Sequence, residues 1–95
     1  SQYVCYHDKK PIGMINVDIN NDEAMIFGLG VLSEYRGKGY AKDMLCLLIH
    51  ELKKVDISSI SLEVDSNNPE ALALYMSCGF EKVKSFEYYR MDLHD

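Results

Sequence analysis

Val31-Leu32-Ser33-Glu34-Tyr35-Arg36-Gly37-Lys38-Gly39-Tyr40-Ala41 joins two hydrophobic rhythms, and the change between them decides the fold. Upstream, the apolar run from Ala24 to Leu32 reads as a strand in which Gly28 and Gly30 mark a bulge or a close approach. Downstream, Ala41, Met44, Leu45, Leu48, Ile49 and Leu52 recur at helical spacing, predicting an amphipathic helix from about Gly39 to Lys54. A helix that opens on glycines presents unpaired N–H groups and the positive end of its dipole, and the missing side chains let an anion reach the backbone. Arg36, Lys38 and Lys42 add positive charge there, which favours a phosphate ligand. The same residues also suit a tight turn surrounded by solvated charges, and spacing alone leaves both readings open. GxxxxGK[S/T] is absent and neither glycine pair extends to GxGxxG, which excludes a P-loop and a Rossmann fingerprint.

Working outward toward the N-terminus, Gln2 to Tyr6 and Ile12 to Ile19 are rich in Val, Ile and Tyr, and Asp8-Lys9-Lys10-Pro11 between them is turn chemistry. Asn20-Asn21-Asp22 supplies a second turn, so three antiparallel strands in a meander are expected. Toward the C-terminus, Ser58 to Val64 alternates Ile60, Leu62 and Val64 onto one face, and Asn68-Pro69 opens a second helix ending near Gly79. Val83, Phe86, Tyr88, Tyr89, Met91 and Leu93 then predict one or two further strands. No repeat, low-complexity tract or linker interrupts the chain.

The 95 residues form one domain, 1–95, with enough chain to bury roughly 60–65% of its unfolded surface. A net charge of −5 argues against a nucleic-acid backbone binder and suits a cationic or amine-bearing partner. Cys5, Cys46 and Cys78 are odd in number and lack CxxC spacing, so neither a disulfide framework nor a zinc site is indicated, and a reducing, cytoplasmic compartment is expected. His7, His50 and His94 are too dispersed for a metal motif, and Cys46 and Cys78 read as small core residues on helix faces. No apolar run approaches the ~18 residues of a membrane span, so no membrane partner is expected.

Three residues beyond the glycine loop could carry chemistry. Glu63 alternates away from Ile60, Leu62 and Val64, so its carboxylate projects from the opposite face of its strand, where it could serve as a general base or simply as a solvated charge. Asn68 is the natural N-cap of the second helix, and Tyr75 stands on that helix between Ala71 and Cys78, where spacing alone reads it as a core aromatic.

Read together, Arg36, Gly39 and Ala41 match the pattern [Q/R]-x-x-G-x-[G/A]. Asn68, Ala71, Leu74, Tyr75, Gly79 and Phe80 match N-x-x-A-x-x-L-Y-x-x-x-G-F. In this order and spacing the chain resembles the GNAT superfamily of acetyl-CoA-dependent N-acetyltransferases. The resemblance implies a mixed α/β (α+β) fold with a mostly antiparallel central sheet and helices on both faces. It covers the central and C-terminal part of the family fold, so the usual N-terminal strand and helices are expected to be lacking.

The resemblance further implies that the amides of Arg36, Gly37, Lys38, Gly39, Tyr40 and Ala41 hold the pyrophosphate of acetyl-CoA. The strand at Leu29, Val31 and Leu32 would splay from its neighbour to pair with the pantetheine, with a bulge beside Gly28. Asn68 and Tyr75 would contact the cofactor arm. An amine would attack the thioester directly, with Tyr75 as general acid, Glu63 as base and a backbone N–H near Val31 or Leu32 stabilising the oxyanion. The acceptor would be a small-molecule or peptide amine, with no metal involved. A chain beginning at Ser1 rather than Met suggests a fragment, one that acts as a homodimer or with a missing N-terminal half. The alternative is a non-catalytic CoA-binding module or half of a tandem enzyme.

Overall fold

Asp8 and Lys9 both adopt positive φ, 50° and 67°, and turn the chain between β1 (Gln2–His7) and β2 (Lys10–Asn20). The hairpin is therefore tighter than the four-residue turn expected, because two left-handed residues match the right-handed twist of paired strands. Pro11 lies inside β2, where a register shift opposite Cys5 and Tyr6 accommodates its missing donor. Asn21, at φ 59°, makes the next turn into β3 (Glu23–Val31). The structure, a computed structural model, describes residues 1–65, 67–83 and 87–93. The strand expectation at Phe86 and the histidine at position 94 lie outside the described residues.

A 3₁₀ turn (Ser33–Tyr35) leads from β3 through the glycine loop to α1 (Tyr40–Lys54), after which come β4 (Ser59–Glu63), α2 (Pro69–Ser77), β5 (Glu81–Lys82) and β6 (Tyr88–Asp92). The six strands form one sheet in the order β1-β2-β3-β4-β6-β5. All neighbours are antiparallel except β3 and β4, whose parallel pairing requires the α1 crossover.

Residues directly opposite one another share a sheet face. Val17, Ile26, Leu62 and Tyr89 thus form one row, and Ala24, Ile60 and Met91 the next. Met44, Leu45, Leu48 and Leu52 of α1 join this face in a single core with Phe80, and Ala71, Leu72, Leu74 and Tyr75 of α2 pack against the same cluster. Both helices of this chain pack against the same core on one face of the sheet. The opposite face carries Gln2, Asp18, Glu63, Arg90 and Asp92, all exposed, and near the β1–β2 pairing a small exposed apolar patch of Val4, Met14 and Leu32.

The parallel ladder stops early. It runs from Glu23 opposite Ser59 to Ile26 opposite Leu62 and no further. At that point the β2–β3 register skips Phe27, pairing Val17 with Ile26 and Asn16 with Gly28. This bulge bends β3 away from β4, at the place expected from Gly28.

Candidate active site

The divergence of β3 from β4 creates the site. Leu32 N–H donates to the Ile12 carbonyl at 2.8 Å, bracketing the Gly13–Val31 pair. By antiparallel alternation, the N–H and C=O groups of Val31 and of Leu29 then point away from β2, toward the side that β4 has left. A strand edge with both donors and acceptors can pair with an extended, amide-bearing ligand.

A cleft of about 370 Å³ lies between the two strands, with Phe27 and Leu29 on one wall and Glu63, Asn68 and Tyr75 on the other. A second hollow of about 490 Å³ shares Leu29, Asn68 and Ala71 with it and extends to Arg36, Gly39 and Ala41. The two hollows adjoin at these shared residues and together run from Glu63 and Tyr75 to the N-terminus of α1. Gly37 and Gly39 adopt φ of 75° and 83°, where a side chain would be strained. Asp43 N–H is bonded to the Gly39 carbonyl, so the amides of Tyr40, Ala41 and Lys42 lie outside the helical ladder and are available to an anion.

Tyr75 is fixed by the end of its own helix. Phe80 N–H bonds to the Tyr75 carbonyl and Gly79 N–H to that of Met76, each at 3.1 Å, with Gly79 at φ 104°. This is a Schellman ending, and its apolar contact is the edge-to-face packing of the Tyr75 and Phe80 rings, centroids 5.7 Å apart. Burial raises the Tyr75 pKa, with a smaller contribution from Cys78, so the phenol keeps its proton and remains a donor. Asn68 does cap α2, accepting Ala71 N–H at 3.2 Å, while also lining the groove.

The structure brings Glu63, Tyr75, Asn68 and Leu29 together at one end, and Val31, Gly37, Gly39, Tyr40 and Ala41 at the other. It does not bring Leu32 or Lys38 into the groove lining. With its N–H committed to Ile12, Leu32 is excluded as the oxyanion donor, and its side chain lies beside Val4 and Met14 instead. Arg36 N–H is likewise taken, by the Ser33 carbonyl at 3.3 Å, so this amide is not part of the anion cradle. Cys46 is exposed rather than a core residue. Sequence reasoning missed Phe27, whose exposed ring at the bulge lines the cleft, although its place before Gly28 was the available signal. Among the described residues no cluster of His, Cys, Asp or Glu could hold a metal, and no helix is long and apolar enough to cross a membrane.

Two parallel strands that part beside a glycine-initiated helix leave a groove lined by an unpaired strand edge and by helix amides outside the helical ladder. The Acetyltransferase (GNAT) family profile matches residues 1–80, and the chain belongs to that family. Over 62 residues the chain is 42% identical to the [ribosomal protein bS18]-alanine N-acetyltransferase of Haemophilus ducreyi, a match covering 65% of this chain and 43% of that protein. It is 27% identical over 94 residues to the N-alpha-acetyltransferase MAK3 of Arabidopsis thaliana, covering 95% of this chain and 50% of the relative. The chain thus spans half or less of these curated relatives. The crystal structure of the ribosomal-protein-S18-alanine N-acetyltransferase from Escherichia coli superposes with a TM-score of 0.89 at 23% identity, covering 100% of this chain and 70% of the other. The PaiA N-acetyltransferase of Thermoplasma acidophilum, solved in complex with coenzyme A, gives 0.83 at 23% identity, covering 96% and 59%.

Proposed function

We propose that the chain supplies the cofactor-binding and proton-transfer part of an N-acetyltransferase that moves an acetyl group from acetyl-CoA to a primary amine. The observation that carries this reading is the groove, with Glu63 and Tyr75 at one end and the free amides of α1 at the other. The amides of Tyr40 to Lys42 would bind the pyrophosphate, and the open edge at Leu29 and Val31 would pair with the pantetheine amides. That register puts the thioester beside Leu29, in the same cleft as Glu63 and Tyr75. The Leu29 N–H, rather than that of Leu32, is then the donor for negative charge developing on the carbonyl oxygen.

The amine nitrogen bonds to the acetyl carbon as the C–S bond breaks. Glu63 accepts the proton lost by nitrogen, directly or through water, and Tyr75 gives its proton to the departing sulfur. The curated relatives named for alanine and N-alpha acetylation favour a peptide α-amine as acceptor. The test is thiol release from acetyl-CoA by the natural full-length protein offered an N-terminal alanine peptide. Acceptor-dependent release that falls in both Glu63→Gln and Tyr75→Phe supports the reading. Coenzyme A binding without release for any amine would favour a non-catalytic module.

A further inference from the structure

The Arg36 side chain is engaged before any ligand arrives. Its Nε–H donates to the Val31 carbonyl at 2.9 Å. That carbonyl points away from β2, since Leu32 N–H brackets the Gly13–Val31 pair. Among the described residues no strand receives it, because β4 pairing ends at Ile26. Val31 and Arg36 also line the same hollow as Gly39 and Ala41, so the oxygen stands at the lip of the anion cradle. A bare carbonyl there would present negative partial charge to a polyanion.

We propose that Arg36 is a positioning residue whose Nε–H engages the Val31 carbonyl, ending the cofactor-facing edge of β3 and anchoring the loop that carries the anion-binding amides. The inference rests on the cofactor reading of the groove. The residue is held at two points, its main-chain N–H on Ser33 and its side chain on Val31. The loop therefore leaves the strand at a fixed distance, and pantetheine pairing is confined to Leu29 and the Val31 N–H. The positive charge of Arg36 is secondary to its planar donor, because the hydrogen bond is directed at a backbone oxygen and not at a phosphate.

Side-chain geometry makes the test specific. Glutamine places Nε2 the same number of bonds from Cα as arginine Nε, lysine places a methylene there, and methionine matches the length with no donor. Titration with coenzyme A should find Arg36→Gln within about threefold of wild type and Arg36→Met and Arg36→Lys weakened about tenfold, as expected for one lost hydrogen bond to a committed acceptor. Wild-type affinity in Arg36→Lys with loss in Arg36→Gln would overturn the proposal in favour of a charge contact, and equal affinity in all four proteins would overturn it outright. A ligand-free readout separates this from failure of the cofactor reading. The Leu32 amide resonance, which shares a peptide group with the Val31 carbonyl, should be preserved in Arg36→Gln and displaced in Arg36→Met. Equal displacement in both overturns the proposal. That signature intact in a wild-type chain that binds no coenzyme A would overturn the cofactor reading instead.

Discussion

Tyr75 carries its proposed role through two local facts, a Schellman ending that fixes its backbone and a half-buried environment that raises its pKa. Replacing Tyr75 with Phe should keep the packing on Phe80 and lower the rate of acetyl transfer about 100-fold, read in steady-state turnover of the full-length protein. The pH dependence follows from the sign of the shift. A folded-state pKa above the unfolded value near ~10 stabilises the fold at lower pH, and this contribution is lost as pH rises through the folded value. Denaturant melts should therefore show wild type losing ground to Tyr75→Phe as the pH is raised above about 10, and a constant gap would contradict the shift. Glu63 and Tyr75 were legible in sequence because strand alternation and helix spacing fix where such side chains point. The commitments of Leu32 and Arg36 were not, since whether an amide is free depends on Ile12 and Ser33 bonding to it.

At the level of elements, α2 depends on its two ends. Asn68→Ala removes the acceptor for Ala71 N–H and should cost about 1 kcal/mol of unfolding free energy, measured by denaturant melts. Gly79→Ala forces a side chain onto φ 104° and brings its methyl 3.3 Å from Met91 Cε, so a comparable loss of about 1 kcal/mol is expected from the backbone conformation alone. The order of strands and helices could be read from the apolar rhythm, and the bulge from Gly28. The shared face of α1 and α2 could not, because amphipathicity says that a helix buries one side but not against which side of the sheet. The tight hairpin at Asp8 and Lys9 was also hidden, since neither is the glycine that usually marks left-handed turns.

For the molecule as a whole, one core on one sheet face holds the two walls of the groove at a fixed separation. Leu62 is fully buried and sits opposite Ile26, the last parallel pair before the strands part. Leu62→Ala should cost about 2–5 kcal/mol and weaken cofactor binding together with stability, whereas Glu63→Gln next to it should leave stability unchanged and lower only turnover. A loss of stability in Glu63→Gln matching that of Leu62→Ala would deny the exposed carboxylate a chemical role. Calorimetric titration of wild type and Gly39→Glu with acetyl-CoA is the sharpest test of the groove from Tyr75 to the N-terminus of α1 as an acetyl-CoA site. The wild-type chain should bind saturably and the variant not at all, because its carboxylate would fill the cradle and repel the anion. Equal binding by both, or no binding by the folded wild-type chain, would contradict the assignment.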